Sequence, residues 1–218
     1  MKPADIHVVM RLLGSVMHQW QTPAVTIVSQ REGDPFKVLI SCILSLRTQD
    51  KTTAAASKRL FALADTPAAM LRLSREEIEQ AIYPVGFFRN KARQILEICQ
   101  VLIERFAAIV PDDLDDLLTL KGVGRKTANL VVTLGFGKPG ICVDTHVHRI
   151  TNRWGYIATR SPEETEFALR AKLPAEYWLI INDYLVTFGQ NQCKPVSPYC
   201  SNCILAEYCA RIGVSRSR

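Results

Sequence analysis

The sequence lacks the segments that would place it in a membrane or outside the cell. None of its windows has the length and apolar character of a transmembrane helix. The first residues also lack the order of basic, apolar and small residues that is typical of a secretory signal. We therefore expect a cytoplasmic protein, associated with the nucleoid if its partner is DNA. Its seven cysteines should then be thiols or metal ligands, since disulfides are rare in that compartment.

Strand signals, internal repeats and flexible linkers are also absent. Alternating apolar and polar runs separated by hairpin turns do not occur, whereas apolar residues recur at helical spacing. With 48% hydrophobic and 22% charged residues, the chain is predicted to be an all-α globular protein. The helical pattern breaks at residues 137–141. Because no proline- or glycine-rich linker intervenes, we predict two closely packed helical domains.

One predicted helix is apolar around its whole circumference. Asp34 supplies an N-cap and Pro35 the first helical residue, and the helix runs from Phe36 to Leu46. Such a helix should be the buried centre of a domain. It ends in the polar residues 47–50, which either form the floor of a site or are an ordinary solvated helix end. Elsewhere, Ser74-x-x-Glu77 and Ser161-Pro162-x-Glu164 predict capping boxes, and Gly86 predicts a helix C-terminus.

A net charge of +6 favours a polyanionic partner without proving one. The segment that begins at Gly86 places two aromatic rings, Phe87 and Phe88, beside the cations Arg89 and Lys91. Rings can wedge between or stack on bases while cations meet phosphates, so this segment suits nucleic acid. The alternative is that one ring fills the core and the cationic face is only solvated. The segment alone does not choose between the two.

A glycine-containing turn between two apolar helical patterns is the most informative stretch. Gly122 and Gly124 flank Val123, and the second helix should begin near Arg125. The free N–H groups that open this helix form an anion site, for which a phosphate is the obvious ligand. Lys126, one residue into the helix, is a candidate nucleophile. A nucleotide-binding P-loop is rejected. That motif needs a glycine directly before its lysine and another glycine five residues earlier, whereas this chain has Arg125 before Lys126 and Leu120 at the earlier position.

Four cysteines near the C-terminus predict a metal centre. Cys193, Cys200, Cys203 and Cys209 are separated by six, two and five residues. Structural zinc sites usually contain two Cys-x-x-Cys pairs at a longer separation. One compact run with a single such pair fits a [4Fe–4S] cluster better. The alternative is a set of reduced, metal-free thiols.

Three motifs together resemble one family. Leu-x-Gly-Val-Gly-Arg-Lys-Thr-Ala at residues 120–128, Val-Asp-Thr-His at 143–146 and the cysteine spacing closely resemble endonuclease III, a helix-hairpin-helix DNA glycosylase, from about residue 34 to 209. The resemblance implies a six-helix barrel domain over 22–139. A second domain, formed by 1–21 plus 140–218, would carry the [4Fe–4S] cluster, with the active site in the groove between the two. We expect a monomer that binds double-stranded DNA containing damaged bases or abasic sites.

The resemblance also implies a reaction. Lys126 would attack C1′ of a damaged nucleoside, expel the base and form a Schiff base, which permits β-elimination of the 3′ phosphate. Asp144 would assist Lys126 and stabilise positive charge on the sugar. The implied function is removal of oxidised pyrimidines by a bifunctional glycosylase and apurinic/apyrimidinic lyase. Alternatively, Lys126 only contacts phosphate and Asp144 is only a helix N-cap. Two other functions remain as alternatives: a mismatch-specific glycosylase for uracil, thymine or adenine, against which Lys126 weighs, and a non-catalytic DNA-binding protein stabilised by a metal.

A damaged base must leave the stack before it can be reached, so something must fill the gap. The resemblance places Arg47 and Phe87 at the two gap-filling positions, where the best-known members have glutamine and leucine. Arg47 could pair with the orphaned base and favour guanine, whose O6 and N7 accept two hydrogen bonds. The complete set of predicted DNA contacts is Arg47, Gln49, Phe87, Arg89, Lys91, Lys121, Gly122, Gly124, Arg125, His146 and Lys194.

Overall fold

The computed structural model describes residues 1–20, 25–26 and 33–218. The described residues form helices and connecting turns, with no β-strand among them, so the predicted all-α class is confirmed. None of the helices in these ranges is both long and apolar enough to cross a membrane. The α-helices that we number are α1 (Ile6–Val16), α2 (Pro35–Ser45), α3 (Asp50–Leu63), α4 (Pro67–Met70), α5 (Arg75–Ile82), α6 (Phe88–Phe106), α7 (Leu114–Leu118), α8 (Arg125–Leu130), α9 (Thr145–Arg153), α10 (Pro162–Lys172) and α11 (Ile181–Asn191).

The chain divides into two compact units. One consists of Ala24–Gly140, and the other of Met1–Pro23 together with Ile141–Arg218. The chain therefore crosses from one unit to the next within the break at residues 137–141 that the sequence indicates. The predicted domain boundary at residues 21–22 lies outside the described residues.

Helix α2 is the centre of the unit Ala24–Gly140. Every residue from Val38 to Leu44 is almost inaccessible to solvent, and α2 packs against α3, α6 and α8. Asp34 caps the helix by accepting a 2.8 Å hydrogen bond from the N–H of Phe36, and Pro35 is its first residue. The predicted buried helix and its N-cap are both confirmed.

The capping predictions give a mixed result. Ser74 and Glu77 exchange hydrogen bonds as a complete capping box. Ser161 accepts the N–H of Glu164, but the carboxylate of Glu164 accepts the N–H of Arg160 and so completes no box. Helix α5 ends at Ile82, so the prediction that Gly86 is a helix terminus is wrong.

The other unit has its own core. Ile6 and Leu13 of α1 pack with Trp154, Tyr156 and Phe188, all of which are almost fully buried. Helix α9 packs against both α10 and α11. The core therefore fixes α9, whose N-cap is Asp144 and which carries Arg149 and Arg153, the residues that hold the cysteine loop.

Candidate active site and cysteine centre

The predicted helix-hairpin-helix is present between α7 and α8. Asp113 caps α7 through the N–H groups of Asp115 and Asp116. Gly122 has a φ of +74°, a left-handed conformation that favours glycine, and a Cβ there would overlap with the Gln94 side chain. Gln94 in turn donates to the carbonyl of Lys121 at 3.0 Å, which ties the turn to α6.

Gly124 is the N-cap residue of α8, and the space around its Cα is open. Its backbone is extended, no side chain caps the helix, and a Cβ at this position would meet nothing within 4 Å. Val123 between the two glycines is buried and anchors the turn. The absence of a side chain at Gly124 therefore leaves open space at the start of α8.

Lys126 is half-buried in the first turn of α8. Its charge acts on Cys42 of the buried helix α2. Burial raises the pKa of the Cys42 thiol to about 12, and the nearby Lys126 opposes that rise. The amine therefore lies within electrostatic reach of α2.

Asp144 is the N-cap of α9 and is almost fully buried. Its Oδ1 accepts hydrogen bonds from the N–H groups of His146 at 2.8 Å and Val147 at 2.9 Å. The positive end of the helix dipole favours a negative charge at this point. The prediction that Asp144 is a helix cap is confirmed; its assignment to catalysis stays a prediction.

His146 belongs to a hydrogen-bonded network. Its Nδ1 lies 3.1 Å from a guanidinium nitrogen of Arg149, which also donates to the carbonyl of Cys193 at 2.8 Å. Because arginine only donates, Nδ1 of His146 must be the acceptor. A Cβ on Gly189 of α11 would overlap with both side chains, so glycine permits the close approach of α9 and α11 there.

Arg47 and Phe87 form an exposed pair in the unit Ala24–Gly140. The guanidinium of Arg47 lies 5.6 Å from the centre of the Phe87 ring, at the distance of a cation–π contact. The ring is 60% exposed, although burial is the usual fate of phenylalanine. Both residues have left-handed backbones, with φ of 53° and 58°. Such strain costs roughly 1–3 kcal/mol per residue and concentrates at functional sites.

Lys91 does not fit its predicted place among the DNA contacts. Its side chain is buried, and its ammonium donates to the carbonyls of Leu44 and Leu46 and to the hydroxyl of Thr48. Burial lowers the pKa of Lys91 to about 8. An amine turned inward on three acceptors is not presented to a phosphate, so we remove Lys91 from the predicted surface.

The remaining predicted DNA contacts are spread over both units. Arg89 lies over the ring of Phe88 and near Glu79, and Lys121 forms a 3.0 Å ion pair with Glu97. Gln49 is exposed and is the N-cap residue of α3. Arg125 is half-buried and is the first residue of α8. Lys194 lies 5.2 Å from the centre of the Tyr199 ring, which Arg218 also approaches, at 4.8 Å.

The four predicted ligand cysteines line one cavity in the unit that contains α9 and α11. All four are free thiols, and Cys203 and Cys209 lie close enough to the other cysteines for their charges to raise the pKa of both thiols. Burial first, and the neighbouring cysteines next, raise the pKa of Cys203 to about 11. Binding a metal would require these thiols to lose their protons.

Hydrogen-bond donors lie close to two of the four sulfur atoms. Arg153 donates to Sγ of Cys193 at 3.5 Å and to the carbonyls of Lys194 and Pro195, and the N–H of Arg211 lies 3.4 Å from Sγ of Cys209. Donors of this kind stabilise thiolates that ligate iron. Within the described ranges, no group of three or more His, Cys, Asp or Glu side chains is placed so that it could hold a metal ion.

Sequence reasoning missed the two arginines that hold the cysteine loop. Arg149 and Arg153 lie four residues apart on α9, so both project from one face of the helix. Each donates to backbone carbonyls in the segment 193–195. Their spacing was a detectable signal, but their acceptors are backbone groups that the sequence does not mark.

Comparison with known proteins defines the class. The model of the HhH-GPD superfamily base excision DNA repair proteins matches residues 40–175, which include the hairpin, Lys126 and Asp144. Endonuclease III of Thermotoga maritima is 49% identical over 181 residues, which are 83% of this chain and 85% of that protein.

Two solved structures extend the comparison to the fold. A non-covalent endonuclease III–DNA complex and a trapped endonuclease III–DNA covalent intermediate each have a TM-score of 0.85 and 35% sequence identity. Each covers 97% of this chain, and the chain covers 96% and 97% of them respectively. The chain belongs to the endonuclease III family of the HhH-GPD superfamily of base excision DNA repair proteins.

Proposed function

We propose that this protein is a bifunctional DNA glycosylase and apurinic/apyrimidinic lyase of base excision repair, acting on oxidised or ring-saturated pyrimidines in double-stranded DNA. The observation that carries the proposal is Lys126, an amine in the first turn of the hairpin's second helix within an endonuclease III framework. A related endonuclease III forms a covalent intermediate with DNA. An amine nucleophile accounts for such an intermediate, because it forms an imine with the sugar.

In this mechanism the Lys126 nitrogen forms a bond to C1′ while the bond from C1′ to the base breaks, and the base leaves with that electron pair. The sugar ring then opens to an iminium, whose positive nitrogen is an electron sink. Loss of a proton from C2′ sends electrons towards C3′, and the C3′–O bond breaks to release the 3′ phosphate. Asp144 would accept a proton from Lys126 and stabilise the positive charge on the sugar.

The DNA surface that we propose combines the hairpin with the exposed pair. The turn at Gly122–Gly124 and the start of α8 would place backbone N–H groups against a phosphate, with the side chains of Arg125 and Lys121 beside it. Arg47 and Phe87 would enter the gap left by the extruded nucleotide, and Gln49 would lie near the base pocket. Arg89, His146 and Lys194 would meet phosphates. We further propose that the unit Ala24–Gly140 is the barrel domain and that the other unit is the cluster domain.

We propose a [4Fe–4S] cluster on Cys193, Cys200, Cys203 and Cys209. Two features of the structure support it: the four sulfurs line one cavity, and the donors of Arg153 and Arg211 point at the sulfurs. Four cysteine thiolates in one compact run are the ligand set that such a cluster uses. When bound, it would brace the loop that carries Lys194, and it takes no part in the steps at the sugar.

The direct test is an assay of the purified protein on a panel of duplexes that contain one oxidised pyrimidine, one uracil or thymine mispair, or one abasic site. We expect base removal from the oxidised pyrimidine together with strand cleavage, and a covalent complex when borohydride reduces the imine. Removal of uracil or thymine without strand cleavage would overturn the assignment in favour of a monofunctional mismatch enzyme. DNA binding without any base removal or cleavage would reject an enzymatic function.

A second prediction concerns the base opposite the lesion. Changing Arg47 to glutamine should weaken a preference for guanine by roughly 10- to 100-fold, because a bidentate contact to a base discriminates by about 1–3 kcal/mol. The measurement is the single-turnover excision rate on four duplexes that differ only in the opposite base. Arg89→Gln is the matched control, since Arg89 also lies over an aromatic ring and should affect all four duplexes alike. An unchanged preference in Arg47→Gln would reject this role.

A further inference from the structure

The strained pair of Arg47 and Phe87 needs a support, because neither residue adopts its left-handed backbone readily in isolation. The two residues lie on separate segments. Arg47 follows the C-terminus of α2, and Phe87 immediately precedes α6. Something in the structure must therefore hold both segments in register.

Lys91 meets the first segment on both sides of Arg47. Its ammonium lies 2.9 Å from the carbonyl of Leu44, 2.5 Å from that of Leu46 and 3.2 Å from the Thr48 hydroxyl. The carbonyls at the end of α2 lack partners within that helix, and an ammonium has three donors for three acceptors. Lys91 thus fixes the chain before and after the residue that is strained.

The same lysine is joined to the second segment. Its backbone N–H donates to the carbonyl of Phe87 at 3.0 Å, in the first turn of α6. The Thr48 hydroxyl, which accepts from the Lys91 ammonium, also lies 3.2 Å from the N–H of Gly86. The two segments are therefore connected through one buried group of atoms.

Gly86 shows how closely these segments approach. A Cβ built on this residue would lie 2.6 Å from the carbonyl oxygen of Arg47, which is backbone and has no rotamer by which to move away. Gly86 does not have a left-handed φ, so the position does not need the conformational freedom of glycine. It needs the absence of a side chain, which lets the two backbones approach each other. A side chain at position 86 would push the two segments apart and so move Arg47 away from Phe87.

We propose that Lys91 is a positioning residue, whose buried ammonium holds Arg47 and Phe87 together as a single wedge for the gap left by the extruded nucleotide. This inference rests on the proposed function. It assigns Lys91 no contact with DNA. Its consequence is that Lys91 acts on the step that needs an intact base to leave the stack, and less on cleavage at a site whose base is already gone.

The variant Lys91→Met tests this, because methionine has a similar length and suits a buried position but cannot donate. We expect the single-turnover rate of base removal from an oxidised-pyrimidine duplex to fall roughly 10- to 100-fold, as a small displacement of positioning groups can cause. The preference among the four opposite bases should flatten. Cleavage of a preformed abasic site should stay within about twofold of the original protein, because no base has to be displaced.

Two further variants keep the test decisive. Lys121→Met removes an exposed lysine of the hairpin and should lower both activities together through weaker binding. Thr48→Val removes the hydroxyl shared by Lys91 and Gly86, and should change the ratio of the two activities in the same direction as Lys91→Met. If Lys91→Met does not fold, Thr48→Val decides alone.

Equal loss of base removal and abasic-site cleavage, or an unchanged opposite-base preference, would overturn the positioning role. Those outcomes in a variant would leave the proposed function intact, provided that the original protein is active. Absence of both activities in the original protein would instead reject the proposed function itself.

Discussion

Replacement of Lys126 by glutamine is expected to abolish the covalent complex with abasic DNA and to lower strand cleavage by about three orders of magnitude or more. Glutamine has a similar length and remains polar, but its amide nitrogen cannot form an imine. Without an imine the sugar has no electron sink, and β-elimination stops. The measurements are borohydride trapping on a denaturing gel and single-turnover cleavage of an abasic duplex.

The position of Lys126 makes this experiment interpretable. The residue lies in the first turn of α8, whose following residues Thr127 and Ala128 are buried, so the helix is held by packing that the substitution leaves in place. The variant should therefore keep its affinity for DNA. Lys121→Gln, in the turn before the same helix, is the matched control and should still be trapped. Undiminished trapping of Lys126→Gln would show that another amine is the nucleophile.

Replacement of Cys203 by alanine is the second change with a large expected effect. If the proposed cluster is bound, the change should remove the visible absorbance of its iron–thiolate bonds and destabilise the C-terminal loop by about 4–5 kcal/mol, because loss of a metal centre is among the changes with the largest effects on stability. Cys203 lines the same cavity as the other three cysteines, and alanine cannot replace its sulfur as a ligand. Iron content, the visible spectrum and the thermal midpoint of unfolding are the three measurements.

Cys99→Ala provides the comparison, since Cys99 is buried in α6 and takes no part in the cysteine cavity. It should retain the colour and lose only the packing of one sulfur atom. Zinc in place of iron in the original protein would contradict the cluster and favour a zinc site. Full absorbance in Cys203→Ala would show that this cysteine is not a ligand.

The hairpin and the cysteine run were predictable because local chemistry determines them. Gly122 takes a left-handed backbone in a tight turn, and that requirement favours one residue type in any fold. Asp34 and Ser74 cap helices through backbone N–H groups two or three residues away, so the whole interaction lies within a short stretch of sequence. Cys200 and Cys203 lie on one short loop, where their spacing already suggests that both are ligands of one metal centre.

Gly86 and Lys91 could not be predicted in the same way. The local sequence predicts a helix terminus at Gly86. The reason for this glycine is instead the carbonyl oxygen of Arg47, which is 39 residues away in the sequence and lies only 2.6 Å from where a Cβ would be. For Lys91 the local sequence predicts a phosphate contact, because the residue follows two aromatic rings and another cation. Its partners lie 43 to 47 residues earlier in the chain.

The sequence by itself determined the all-α class, the helix-hairpin-helix, the capping residues and the set of candidate ligands, because each depends on residue type and on neighbours a few positions away. Only the tertiary structure decided which cations face outward. A lysine on an amphipathic helix has the same spacing whether its amine meets water or the carbonyls at the end of another helix. For Lys91 that choice depends on where α2 ends relative to α6, a distance that packing determines and local sequence does not.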